Sequence, residues 1–76
     1  KDWWQEATET YEKALAEEIT EARAKEIRYN LSTCYEHLER LSDAQEQLST
    51  IAQNDYNYKD VRQRLERVRN KLKENQ

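Results

Sequence analysis

The sequence predicts an all-α fold in which about four helices form an antiparallel helix-turn-helix array. Neither Gly nor Pro occurs among the 76 residues, and charged residues make up 38% of them. Because Ala, Glu, Leu, Lys, Arg and Gln dominate the composition, local preference favours helix along nearly the whole chain. Apolar residues recur at intervals of three and four, which places them on one face of a helix. A chain of this length forms one domain with a small core.

Helix 1 is predicted over residues 2–17. Asp2 and Gln5 have the spacing of an N-terminal cap. On a helical wheel Trp4 points to the centre of the apolar stripe, so we expect it in the core, whereas Trp3 lies between core edge and contact surface. The apolar side of this helix consists of Trp3, Trp4, Ala7, Tyr11, Ala14 and Leu15.

A turn is predicted at residues 17–21, where Thr20 has the side chain of a helix cap. Ala22 and Ala24 would also fit a continued helix, so a helix that runs through this segment is the alternative.

Helix 2, over residues 21–39, and helix 3, over residues 42–53, are the clearest pair. Their junction contains no Gly, but Ser42 followed by Gln45 fits a capping box that would restart the helix. The core stripe of helix 2 is Ile27, Leu31, Cys34, Tyr35 and Leu38, and that of helix 3 is Leu41, Ala44, Leu48, Ile51 and Ala52.

Helix 4 is predicted over residues 58–74, after a turn in the segment QNDYNY with Asn57 as its cap. Val61, Leu65, Val68 and Leu72 point inward. Residues 1–57 hold six Lys or Arg against thirteen Asp or Glu, whereas residues 58–76 hold seven against three. Either the basic helix 4 is attracted to the acidic body of its own chain, or it binds an acidic partner.

The spacing of helix 1 is repeated in helix 3. Ala7, Tyr11 and Ala14 correspond to Ala44, Leu48 and Ile51 at an offset of 37 residues, and Trp4 corresponds to Leu41. Helix-pair repeats with a period of about 34 residues are known, and the three extra residues of this offset would fall in the segment EEITEARAK.

On these residues the chain resembles the tetratricopeptide repeat family, whose repeat is about 34 residues long. Leu31, Tyr35 and Ala44 match the Leu, Tyr and Ala of its motif. Ser32 replaces the motif's Gly and is still small enough for two helices to approach closely. Departures from the motif are Arg28 at the Trp, Leu48 at the second aromatic and Tyr56 at the Pro.

The resemblance implies a single helical-repeat domain over residues 1–76. Residues 25–58 form one full repeat, residues 1–21 the second helix of a preceding repeat, and residues 59–74 a terminal helix. Because the chain begins at Lys1 without a Met, we expect a processed product or a fragment of a longer protein.

No set of residues predicts an enzyme. Cys34 and His37 are three apart, but nothing completes a metal site or a nucleophile with its base, so Cys34 is expected in the core and His37 in solvent. Glu36 and Glu39 are interpreted as the polar side of an amphipathic helix. We therefore predict no catalytic residue, no metal and no cofactor.

Two polar stripes are expected to be neighbours. The stripe on helix 2 is Glu26, Asn30, Thr33 and His37, and that on helix 4 is Asp60, Arg64, Arg67 and Lys71. The resemblance implies that they line a ligand groove in which Asn30 hydrogen-bonds the backbone of a peptide. A Lys would be expected in place of Tyr29 in the family's chaperone-tail clamps, which makes that specialised function doubtful. The alternative is a solvated surface. The predicted groove residues are Tyr29, Asn30, Thr33, His37, Gln63, Arg64 and Arg67.

The predicted function is non-catalytic binding of a protein or peptide, with acidic sequences preferred. One alternative is a bundle that forms homodimers through Trp3, Trp4, Tyr11 and Leu15. Another is binding of nucleic acid or an anionic surface by helix 4, against which the pI of 5.2 argues. No apolar run is long enough for membrane insertion, and we expect a cytoplasmic location.

Overall fold

The computed structural model describes residues 3–74, which form four α-helices. They are α1 (Trp3–Ala16), α2 (Glu21–His37), α3 (Leu41–Asn54) and α4 (Val61–Glu74). The predicted cap at Asp2 lies outside the described residues. Each helix packs chiefly on the next one along the chain, so α1 and α4 occupy the two ends of the array. The described residues contain no strand, and the predicted all-α class is confirmed.

The core lies where α2, α3 and α4 meet. Ala44 and Ser32 are completely buried, and these small side chains allow neighbouring helices to approach closely. The Ser32 hydroxyl donates a hydrogen bond to the Tyr29 carbonyl at 2.6 Å, so its burial leaves no polar atom unpaired. The buried apolar cluster is Leu31, Tyr35, Leu41, Ala44, Leu48, Ile51, Val61, Leu65 and Val68.

Helix α1 packs on α2 partly through polar side chains. Thr8 is completely buried, and its hydroxyl donates to the Trp4 carbonyl at 2.8 Å. Tyr35 donates its hydroxyl proton to Glu12 at 2.5 Å, and burial, reinforced by this hydrogen bond, raises the pKa of Tyr35 well above its usual range. Burial likewise raises the pKa of the Cys34 thiol, which lies in this interface. The apolar spacing of α1 did not predict the burial of Thr8.

The turn between α1 and α2 follows the sequence prediction. The Thr20 side chain accepts a hydrogen bond from the Arg23 N–H at 3.2 Å, which confirms Thr20 as the N-cap of α2.

The predicted capping box at Ser42 is wrong. Arg40 is the N-cap of α3 and makes no side-chain cap hydrogen bond, so Ser42 already lies inside the first turn. The preceding helix ends in a Schellman motif instead: the Arg40 N–H donates to the Tyr35 carbonyl at 2.8 Å and the Glu39 N–H to the Glu36 carbonyl at 3.1 Å. Glu39 occupies the left-handed position, with φ of 60°, that Gly usually takes.

The predicted cap at Asn57 is also wrong. Helix α4 begins at Val61, and Asp60 provides the carbonyl that accepts the first helical hydrogen bond, from Arg64, at 3.0 Å. Lys59 adopts a φ of 44°, which interrupts any helix that would begin at residue 58. Asn57 therefore lies within the turn, too far from the helix to cap it.

Candidate functional site

The two polar stripes predicted to be neighbours are joined by one carboxylate. Glu36 of α2 accepts from Arg64 at 2.7 Å and from Arg67 at 3.1 Å, using a different oxygen for each arginine of α4. The side chains of Glu36 and Arg64 are only 10% and 8% exposed, whereas that of Arg67 is 56% exposed. This arrangement links α2 and α4, which are not consecutive in the chain, into one continuous face.

Glu39 is exposed, as predicted, but the prediction that Glu36 lies on the solvated polar side of its helix is wrong for Glu36. It lies on the side of α2 that approaches α4, where Arg64 requires a compensating charge. Burial alone would lower the pKa of Arg64, but hydrogen bonds with Glu36 and Tyr29 outweigh burial and raise it. The buried Arg64 guanidinium is paired with Glu36 and holds α2 and α4 together.

Aromatic rings form one wall of this face. Tyr29 donates a hydrogen bond to Asp60, and its ring meets that of Tyr58 edge-on at 5.9 Å. The guanidinium of Arg64 lies 4.7 Å from the Tyr29 ring centre and the ammonium of Lys59 lies 4.9 Å from it, both within cation-π range. The hydrogen bond from Tyr29 is the main reason why the pKa of Asp60 is below its usual range, and burial opposes it.

Smaller polar groups complete the face. Asn30 and Thr33 are half-buried on α2, and Gln63 and Arg67 are exposed on α4. The Thr33 hydroxyl makes a long hydrogen bond, 3.4 Å, to the Tyr29 carbonyl. Together these groups offer amide donors and acceptors beside the accessible cations Arg67 and Lys59, which suits a peptide backbone or a carboxylate.

His37 is the predicted groove residue that the structure also connects to α1. Its imidazole stacks on the indole of Trp4, with ring centres 3.7 Å apart and planes 9° from parallel. Trp4 is therefore half-buried against His37 and lies outside the buried core, contrary to the prediction from the helical wheel. The exposed histidine shields one face of that indole from water.

The four residues predicted for self-association differ in exposure. Trp3 is 60% exposed and meets Trp4 edge-on at 4.5 Å. Tyr11 and Leu15 are half-buried against the core cluster. Only Trp3 therefore offers most of its side-chain surface to a partner.

Within residues 3–74, no group of three or more His, Cys, Asp or Glu side chains is placed to hold a metal ion. In the same part of the chain, no helix is both long and apolar enough to cross a bilayer.

Comparison with known families decides what this arrangement of helix pairs is. The family model of the tetratricopeptide repeat matches residues 4–68. The chain belongs to the tetratricopeptide repeat family. Neither the curated proteins nor the solved structures gave a significant match. Membership confirms the resemblance drawn from Leu31, Tyr35 and Ala44, and it identifies the chain as a helical repeat of a family that serves protein–protein interaction and scaffolding and is generally non-catalytic.

Proposed function

We propose that this tetratricopeptide chain is a non-catalytic binding module whose ligand is an extended peptide of a partner protein. The ligand lies on the face shared by α2 and α4. The single observation that carries the proposal is Glu36, which joins two non-consecutive helices and so makes one preformed surface from two polar stripes. Because a preformed surface loses little conformational freedom on binding, more of the contact energy appears as affinity.

The chemistry of the face favours an acidic or carboxylate-terminated peptide. Glu36 already satisfies Arg64, but the half-exposed Arg67 retains donors that a ligand carboxylate can reach. Asn30 and Gln63 supply amide groups of the kind that pair with a peptide backbone. Tyr29 and Thr33 lie on α2 beside Asn30, and His37 lies at the end of the face nearest α1.

The test measures the affinity of a panel of short peptides, each with an acidic or neutral sequence and with a free or amidated C-terminus. We expect tighter binding of acidic, free-carboxylate peptides, and a loss of about tenfold for Arg67→Glu, which corresponds to about 1.4 kcal/mol. Lys73→Glu is the matched control, since it makes the same charge change on an exposed part of α4 outside this face. If both variants weaken binding equally, the effect is one of net charge and the proposed face is incorrect.

Exposed Trp3 supports a second candidate function, self-association through α1. The half-buried Trp4, Tyr11 and Leu15 lie along the same helix and would lose further surface in a dimer. Sedimentation over a wide concentration range tests this function, with Trp3→Ala as the variant expected to weaken association. A monomer at all concentrations would rule it out.

A further inference from the structure

The two ends of the array are each incomplete in a different way. Among the described residues the exposed large hydrophobic side chains are Trp3, on α1, and Tyr56, just before α4, which is 62% exposed. Trp3 therefore lies at the α1 end of the array, and Tyr56 lies at the α4 end.

On α1 a helix-packing stripe is only partly covered. Ala7, Tyr11 and Ala14 are half-buried, whereas their counterparts in α3, Ala44, Leu48 and Ile51, are completely buried. The difference arises because α3 packs on both α2 and α4, while α1 packs chiefly on α2. We call Trp3, Ala7, Tyr11 and Ala14 the head surface. These residues have the same spacing as the residues by which α3 packs on two helices, so the head surface can accommodate a second helix besides α2.

At the other end a groove of about 650 Å³ runs along α4. We call its lining residues Ala52, Tyr56, Arg62, Leu65 and Arg69 the tail surface. The groove also contains Lys59, Gln63 and the acidic Asp60 and Glu66. The guanidinium of Arg62 lies 4.5 Å from the Tyr56 ring centre, so part of the rim is built by a cation-π contact.

The tail surface repeats the side of α2 that α3 covers. Arg62, Leu65 and Arg69 follow Arg28, Leu31 and Tyr35 by 34 residues, which is the period of the repeat. Arg28 hydrogen-bonds Gln47 of α3 at 2.8 Å, and Leu31 and Tyr35 are buried in the core that α3 completes. The groove beside α4 therefore lies where a helix equivalent to α3 would pack, and α1 is such a helix.

Length and charge also match. Helices α1 and α4 each contain 14 residues, or about 21 Å of helix. Helix α1 carries three Glu and one Lys, whereas α4 carries six Lys or Arg and two Glu. Two copies of α1 facing each other would bring like charges together, while α1 against α4 brings opposite charges together.

We infer that the 76-residue chain associates head to tail, with the head surface of one copy in the tail groove of another. The inference rests on the proposed self-association through α1 and adds the surface that α1 meets. α4 of one copy and α1 of the next then form one more helix pair of the repeat. Because each copy has one head and one tail, the assembly extends beyond a dimer, as a filament or, where the rotation between copies closes, as a ring.

The test uses two variants, each with one surface disabled. The head variant is Trp3→Ala with Glu6→Lys, and the tail variant is Arg62→Ala with Arg69→Ala; circular dichroism verifies that both fold. Sedimentation of the unaltered chain should show mass rising past that of a dimer with concentration, and falling as salt screens the opposite charges. Each variant alone should associate about tenfold or more weakly. Their equimolar mixture should form a 1:1 heterodimer and nothing larger, because it contains one intact head and one intact tail.

Other outcomes distinguish the head-to-tail contact from self-association through α1, on which it rests. A tail variant that dimerises as well as the unaltered chain would mean that α1 meets α1, which overturns the head-to-tail contact and leaves self-association intact. A chain that stays monomeric at every concentration overturns both. The control Lys73→Glu lowers the net charge of α4 by the same two units outside the tail surface, and it should associate like the unaltered chain. Equal weakening by this control would show that net charge, not the groove, drives association.

Discussion

Replacing Glu36 by Gln should destabilise the fold much more than removing either arginine that it binds. In the Glu36→Gln variant, buried Arg64 keeps its charge but loses the carboxylate at 2.7 Å. Removing one partner of a buried ion pair lowers the free energy of unfolding by about 3–5 kcal/mol. Because Gln retains one hydrogen-bonding oxygen, we expect a loss near the lower end, about 3 kcal/mol. For a domain of this size, about 3 kcal/mol is a quarter or more of the free energy of unfolding.

Substitutions of the two arginines are expected to lower the free energy of unfolding less than Glu36→Gln does. Arg64→Met removes the buried charge itself, and Glu36 keeps its contact with Arg67 at 3.1 Å, so the loss should be about 1 kcal/mol. Arg67→Met breaks a largely exposed contact and should cost less than about 1 kcal/mol.

Urea unfolding followed by far-UV circular dichroism measures these differences, with Glu46→Gln, on the exposed side of α3, as the control. The Glu36→Gln variant should melt about 12–24 °C lower. Its deficit should persist at high salt, because buried charges are screened little. Equal losses for Glu36→Gln and Arg64→Met, or a loss that salt abolishes, would refute the buried linkage between α2 and α4.

Other parts of the molecule give four further predictions. Ala44→Leu should cost about 1–3 kcal/mol by overpacking a completely buried helix contact, and an unchanged thermal midpoint would contradict that contact. Glu39→Gly should raise stability by about 1 kcal/mol in urea unfolding, since Gly adopts the left-handed conformation without steric cost, whereas Glu39→Ala should not. Asp60 has a lowered pKa in the fold, so its contribution is present above its unfolded pKa and disappears as the pH falls through the folded value; Tyr29→Phe should raise that pKa in an NMR titration and reduce the acid dependence of stability. Titration with short DNA, RNA or anionic vesicles should show no strong, steeply salt-dependent binding, and such binding would favour the alternative function of the basic helix.

The helix pairs could be predicted from sequence because periodicity alone places residues on a face. Leu31, Tyr35 and Ala44 are buried as their spacing requires, and Ser32 occupies the close contact expected from its size. Thr20 caps α2 as its side chain predicts. Each of these features depends on local geometry or on one stripe of one helix, which a sequence displays directly.

The linkage at the centre of the site could not be predicted in the same way. Glu36 and Arg64 both look like solvent-facing charges, and only the approach of α2 to α4 reveals that they are buried together. The turn at Glu39 was missed because the Schellman motif there lacks the usual Gly. Thr8 was missed because its hydroxyl bonds to the backbone within its own helix, which makes a polar residue acceptable in a core.

The most direct test of the proposed function is the map of amide chemical-shift changes when an acidic, free-carboxylate peptide is added to the isotope-labelled chain. The largest changes should fall on the face shared by α2 and α4, at Asn30, Thr33 and Arg67. Amides along the outer side of α4, such as that of Arg69, should change little. If saturable binding instead shifts mainly the outer side of α4, or α1, then the surface joined by Glu36 is not where this tetratricopeptide chain binds its partner.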